Sequence, residues 1–313
     1  MKKIVSVFVT FIAIMIMIIF FSTNVTKENK ESEEKVSVVA TLFPQYDFVK
    51  QIGKEKVNVT LLLPPGTETH TYDPSPKDII NINKSKLFIY TGKYMEPWAE
   101  SIANSIDKSV IVLDASKNIS YIKEDHDGEG HEETSHEHEY DPHIWLDISN
   151  AKKMVDNILE ELINVDGQNA DYYTQNAKEY KEKLDELDSK FKEVINNGKR
   201  NVICFGDKFA YMYFISSYNL DYITAYEGCG SNAEPSVSKI LEVEEKIKKE
   251  NIPVIFYESL SEGTVAKSIA KDTNTTPLVF SSVHTVSSED IQNGATYISV
   301  MENNLNNLKK ALN

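Results

Sequence analysis

The chain has 313 residues, 41% hydrophobic and 26% charged, an ordinary globular composition long enough for two domains of usual size. Its formal net charge of -15 at pH 7 excludes nucleic acid as a partner, because phosphate binding needs clustered Lys and Arg. Part of that charge is local, since acidic residues crowd the stretch from Glu124 to Asp141.

The chain opens with a short basic start, Met1-Lys2-Lys3, followed by an apolar run from Ile4 to Phe21 broken only by Ser6 and Thr10. This pattern reads as an export signal or an uncleaved membrane anchor, with Thr23 to Lys35 as a polar linker, so residues 1–35 are set apart from the fold. The Ser22-Thr23-Asn24 end is a poor small-residue cleavage site, and no Cys stands beside it to accept a lipid. The expected location of the remaining chain is the extracytoplasmic face of the cell membrane. The two cysteines, Cys204 and Cys229, define no disulfide framework, and Cys204 lies in an apolar run that reads as core.

From Val36 onward, short β-branched runs alternate with segments of helical spacing. Val36 to Phe43, Val57 to Leu63, Leu87 to Thr91 and Val110 to Asp114 read as strands. Gln45 to Ile52, Pro76 to Lys84, Met95 to Ile106 and Ala151 to Leu162 read as the helices that follow them. The alternation restarts with strands at Val202 to Phe205, Tyr222 to Tyr226, Val254 to Tyr257 and Pro277 to Phe280. Their helices are Phe209 to Ser217, Val237 to Lys249, Thr264 to Asp272 and Ala295 to Leu312. Alternating strands and helices imply parallel sheets covered on both faces. The expected fold class is therefore α/β, with two lobes that each hold a four-stranded parallel sheet flanked by helices.

Between the two sets, Asp171 to Ile195 contains neither Gly nor Pro, and Tyr180, Leu184, Leu187, Phe191 and Ile195 recur at spacings of three or four. That spacing predicts one amphipathic helix of about seven turns, stopped by Asn196-Asn197-Gly198. A single rigid helix between lobes restricts their rotation. The expected division is an N-terminal lobe over 36–165, a connecting helix over 166–198 and a C-terminal lobe over 199–313.

The seven histidines divide into two groups. His126, His131, His136 and His138 lie in an acidic, Gly-containing loop, 124–140, with no apolar residue to anchor it. His70, His143 and His284 each follow a strand or sit in a structured turn, where parallel sheets bind ligands beyond the carboxyl ends of their strands. Imidazole suits zinc and other late first-row ions, and zinc takes four N, S or O donors. Three histidines from three loops supply most of such a site.

Two segments carry a family resemblance: Pro64-Pro65-Gly66-Thr67-Glu68-Thr69-His70-Thr71-Tyr72-Asp73-Pro74 and Asp141-Pro142-His143-Ile144-Trp145-Leu146-Asp147. They resemble the N-lobe motifs of the metal-specific solute-binding proteins of ABC importers, the zinc- and manganese-binding cluster A-I or ZnuA-like family. The similarity runs from about Val36 to the C-terminus. It implies that His70 and His143 are metal ligands. It implies a third ligand near Phe205-Gly206-Asp207-Lys208-Phe209-Ala210-Tyr211, where zinc members place His and manganese members Glu. This chain has Gly206 at the aligned position, with Asp207 beside it. The family's last ligand, usually an acid, aligns with His284, so ligand types are exchanged between the two C-lobe positions. Asp207 is the candidate fourth donor, with water or Glu258 as competitors, and a Cys229 thiolate is a further alternative. The four loop histidines resemble the His-rich insertion of zinc-type members, whose mobile imidazoles and carboxylates make weak, exchangeable sites.

The resemblance implies capture of Zn2+, with Mn2+ or Fe2+ as the alternative cargo, by a monomer that hands it to a membrane permease and its ATPase. A hydrolytic enzyme is the competing class for a three-histidine site, but no HExxH motif is present and no enzymatic activity is expected. A surface adhesin anchored by the N-terminus is the third reading. Deleting residues 124–139 is expected to leave tight metal binding in place; titration of the deletion variant with zinc checks this, and loss of all tight binding would count against the three ligand histidines.

Overall fold

A computed structural model describes residues 15, 17, 35–67, 69–70, 72–123, 140–226 and 234–313. Apart from Met15 and Met17, residues 1–34, read above as a signal or anchor with its linker, lie outside the described residues, as do the four loop histidines and Cys229. Among the described residues no helix is long and apolar enough to cross a membrane.

The N-terminal sheet is built from β1 (Val36–Ala40), β2 (Val57–Leu61), β3 (Leu87–Tyr90) and β4 (Ile111–Asp114), all parallel in the order β2-β1-β3-β4. Every side chain of β3 is buried, which accounts for its unbroken apolar run Leu-Phe-Ile-Tyr. Helices α1 (Phe43–Gly53), α2 (Pro76–Asn83) and α3 (Pro97–Ala103) make the connections. Helix α2 starts where the sequence dictates: Pro76 occupies the first turn, while Ser75 and Asp78 exchange side-chain and backbone hydrogen bonds in a capping box.

A two-stranded antiparallel ribbon, β5 (Ile122–Lys123) and β6 (Tyr140–Asp141), brackets residues 124–139; periodicity gives no sign of so short a pairing. Beyond it come a 3-10 turn at Ile144–Leu146 and α4 (Ile148–Val165). The expected connecting helix is α5 (Ala170–Asn196), 27 residues, about 40 Å long at 1.5 Å per residue. Its buried stripe, Tyr173, Ala177, Tyr180, Leu184, Leu187 and Phe191, follows the helical spacing read from the sequence.

The second sheet contains β7 (Val202–Phe205), β8 (Asp221–Thr224), β9 (Val254–Tyr257) and β10 (Thr276–Val279), parallel in the order β10-β9-β7-β8. Pro277 is tolerated because β10 is an edge strand. Its helices are α6 (Met212–Tyr218), α7 (Val237–Glu250), α8 (Thr264–Thr273), α9 (Ser288–Gln292) and α10 (Tyr297–Leu312). Helix α6 begins three residues later than spacing suggests, because Phe209 to Tyr211 remain irregular and buried at the end of β7.

One apolar core runs from the first sheet through α5 into the inner face of the second, reaching Phe256, Phe280 and Leu308. A smaller cluster around Cys204, Ile255 and Ile269 covers the second sheet's other face. The lobes thus share packing as well as a helix.

At the carboxyl ends of β1 and β3, where the chain's route across the first sheet reverses, a polar group is fully buried. Glu96 Oε2 accepts the Thr91 N–H at 2.5 Å, and Gln45 donates to the Thr41 and Thr91 hydroxyls. Burial lifts the Glu96 carboxyl to about 7. Among the described residues its Oε1 has no hydrogen-bond partner, so a proton there turns an unsatisfied acceptor into a donor. Because the folded value is raised, this group's contribution to stability is present at low pH and is lost as pH rises through about 7. The loss is on the order of 3 kcal/mol at full ionisation. Glu96→Gln is therefore expected to gain on the wild type by about 2 kcal/mol between pH 5.5 and pH 8.5 in urea denaturation. Parallel curves for the two proteins across that range would refute a buried Glu96 proton.

Candidate metal centre

Leu62 and Leu63 prolong β2 by donating to the Ala40 and Thr41 carbonyls, and both are buried. The chain then turns at Pro64-Pro65-Gly66, with the Thr67 N–H on the Pro64 carbonyl at 3.1 Å. Gly66 has φ of +75°, a conformation that costs glycine little and any other residue strain. Its N–H reaches across to Thr285 Oγ1 in the second lobe at 3.1 Å. The Trp98 indole N–H holds the Thr69 carbonyl at 3.0 Å, so the backbone immediately before His70 is fixed. The His70 and His143 rings lie 6.2 Å apart between centroids and nearly perpendicular at 76°.

His143 is 2% exposed and is set by Asp141. Asp141 Oδ1 accepts both the His143 backbone N–H, at 2.8 Å, and its ring Nδ1–H, at 2.7 Å. A carboxylate acceptor on Nδ1 requires the proton there and makes Nε2 the acceptor nitrogen of the ring, the tautomer that a carboxylate partner fixes in zinc-bound imidazoles. Asp141 is also the last residue of β6, so the ribbon at the base of residues 124–139 carries the group that orients His143.

The second lobe contributes the ends of β7, β9 and β10. A Cβ on Gly206 would fall 2.7 Å from Ala266 Cα and 2.7 Å from Ile255 Cδ1, so α8 packs too closely for any side chain at the aligned ligand position. The neighbouring Asp207 takes the Lys208 N–H at 2.9 Å and the Glu258 N–H at 3.4 Å. Glu258 is heavily engaged: it accepts from Ser259 N–H at 2.7 Å, Ser259 Oγ at 2.8 Å and Tyr211 Oη at 2.8 Å. The Ser282 N–H is shared between its two oxygens at 3.2 and 3.0 Å. Burial, then the Glu258 charge, keeps the Tyr211 phenol protonated far above its ordinary range, and so a donor.

Those bonds hold the loop carrying His284. Asn304 clamps Ser281 through its N–H and carbonyl, each at 2.8 Å. Val283 is fully buried at φ of +64°, an unusual conformation for a β-branched residue that this clamped loop sustains. His284 Nδ1 shares a hydrogen bond with Ser282 Oγ, and its carbonyl accepts the Phe43 N–H of the first lobe at 3.2 Å.

His70, His143, His284, Asp207 and Glu258 all line one cavity of about 290 Å3. Among the described residues no three His, Cys, Asp or Glu side chains are gathered into a set able to hold an ion. The cavity brings the five together along its walls without closing them on a point. Asp141, Trp145, Tyr211 and Ser282 were not singled out from the sequence. Asp141 alone left a signal there, an acid two residues before a histidine in a turn.

A sequence model of the family described as "Zinc-uptake complex component A periplasmic" matches residues 38–311. The chain belongs to this ZnuA family. It is 32% identical over 292 residues to the high-affinity zinc uptake system protein ZnuA of Bacillus subtilis, covering 92% of this chain and 91% of that protein. It is also 32% identical over 285 residues to the zinc-binding lipoprotein AdcA of Streptococcus pneumoniae, covering 90% of this chain but only 56% of AdcA. Among solved structures, the Zn(II)-bound ZnuA-like domain of that AdcA superposes with a TM-score of 0.74 at 30% identity, covering 89% of this chain and 99% of that domain. The ZnuA-like fold and its two parallel sheets are thus established for this chain.

Within that fold the two histidine segments are tied directly. The buried Trp145 indole N–H donates to the Ser282 carbonyl at 2.7 Å, and Tyr297 Oη donates to the Trp145 carbonyl at 2.5 Å. Trp145→Phe retains most of the ring volume but leaves the Ser282 carbonyl without its donor, an expected loss of about 1–3 kcal/mol. Denaturant titration beside Trp145→Ala separates this bond from packing; a Phe variant as stable as the wild type would show that the bond holds nothing.

Proposed function

We propose that this protein is the extracytoplasmic receptor of an ABC importer, taking a Zn2+ ion between its two lobes and delivering it to a membrane permease worked by an ATPase. The observation that carries this reading is the convergence of three histidines from three separate loops on one cavity at the mouths of both sheets. His143, with its Nδ1 engaged by a buried carboxylate, is the best prepared of them.

In this reading His70, His143 and His284 supply imidazole nitrogen, and Asp207 supplies the fourth donor when the cavity walls draw together. Glu258 orients the His284 loop, since its oxygens already accept from Ser259, Tyr211 and Ser282. Three imidazoles favour zinc over the harder Mn2+, which prefers carboxylate oxygen; recruitment of Glu258 alongside Asp207 would narrow that preference. The protein binds and releases its cargo without catalysis. We assign residues 36–165 and 199–313 to the two lobes and 166–198 to the helix that limits their rotation. The N-terminal segment holds a monomer at the membrane surface, and His126, His131, His136 and His138 raise the local metal concentration.

Elemental analysis of residues 36–313, with zinc and manganese in competition, is expected to find one tightly held zinc per chain. His284→Ala should weaken it by at least about 100-fold, the upper range for loss of an outer-shell partner. Affinity should also fall below about pH 6, where protons compete for imidazole. Preference for manganese, or indifference to His284, would move the donor set to the C-lobe acids and overturn the zinc assignment.

A further inference from the structure

One leucine in the cavity wall stands in a backbone conformation that leucine rarely adopts. Leu260 follows Glu258 and Ser259 at the carboxyl end of β9. The Ser261 N–H donates to the Glu258 carbonyl at 3.3 Å, closing a tight turn with Leu260 at its third position, where φ is +64°. Glycine or asparagine takes that place at little cost; a leucine there is strained, and the strain lasts only because the flanking structure holds it. The hydrogen bonds on the Glu258 carboxylate fix one end of this turn, and the Gly263 N–H on Ser261 Oγ at 3.0 Å fixes the other.

Core packing does not account for this leucine. It belongs to neither apolar cluster. Among the described residues it is the one large apolar side chain that is both exposed, at 52%, and part of the cavity wall. Its side chain reaches the opposite lobe instead. A Cβ built on Gly66 would lie 3.9 Å from Leu260 Cδ1, and beyond its own chain neighbours would meet no other described atom within 4 Å. Both residues are exposed and both line the cavity, so they meet at its mouth. Gly66, held in place by its bond to Thr285, leaves the space into which the leucine settles.

An ion leaves its donors as water or a competing ligand replaces them. An apolar side chain over the mouth keeps water out and strengthens the charge interactions beneath it. Resting on the zinc-receptor reading, we propose that Leu260 is the cap of the metal cavity: its side chain lies over the held ion against Gly66 and sets how fast the ion is released. The leucine donates nothing to the metal. It acts on the rate of exit and not on the choice of ion, and the strained turn keeps it aimed across the mouth.

The test is the rate of zinc loss from the loaded full-length protein, followed by stopped flow at several concentrations of a chromophoric chelator, for Leu260→Gly, Leu260→Asn and Leu260→Met. Glycine and asparagine suit the left-handed turn, so both variants should fold with stability at or near that of the wild type in denaturant titration. Both should release zinc at least about fivefold faster, the factor that losing roughly half of a leucine's burial gives. Leu260→Met keeps the apolar reach and the strain, and should release zinc within about twofold of the wild type. A turn that matters only for its shape would give the opposite order, with the Gly and Asn variants at the wild-type rate or slower. That order, or a Met variant as fast as the Gly variant, would overturn the proposal. A wild type that holds no zinc would instead bring down the receptor reading, and this proposal with it.

Discussion

A hydrogen bond from the Trp145 indole to the Ser282 carbonyl joins the segment that carries His143 to the segment that carries His284. Both partners are buried, and the bond continues into a polar chain through the core. Tyr297 donates to the Trp145 carbonyl, while the Tyr297 N–H and the Tyr180 hydroxyl both reach Asp47 Oδ2. That chain joins the start of the first lobe, the long helix, the last helix and the loops that carry His143 and His284. The relative position of the two histidines is thus set by the same interactions that hold the lobes together.

This arrangement explains why the site is built from short loops on a stiff frame. The continuous apolar core and the 27-residue helix tie the two sheets to one frame. The first lobe presents His70 and His143 on a backbone fixed by Trp98 and Asp141. The second presents His284 on a loop held by Glu258 and Asn304, with Val283 in a conformation that a freer loop would abandon. Fixing both backbones in advance lowers the entropic cost of ordering these side chains around any ligand.

The cavity's electrostatics separate two kinds of acid. Asp141 through Oδ1 and Glu258 through both oxygens accept hydrogen bonds that orient histidine segments, whereas Asp207, among the described residues, accepts from two backbone N–H groups. Glu96 is a third kind, an acid buried away from the cavity whose proton is kept to near neutrality by desolvation. Counting carboxylates near a site therefore says little until the hydrogen bonds of each are known.

The sequence by itself determined the alternation of strands and helices, the long helix and the three histidines outside the acidic loop. Each of these is written locally, in apolar periodicity of two or 3.6 residues, in the absence of Gly and Pro from 171 to 195, and in which residues follow a strand end. It also showed Gly206 where the family resemblance calls for a ligand. Only the tertiary structure decided why: α8 packs against that backbone and leaves no room for a Cβ, a contact between residues sixty apart. The same holds for Asp141 on His143, Trp145 on Ser282 and the five bonds that occupy Glu258, because long-range packing brings these groups together without leaving a period in the chain. The two-residue ribbon β5–β6 was equally illegible, since so short a pairing is chosen by the fold around it and not by its own residues.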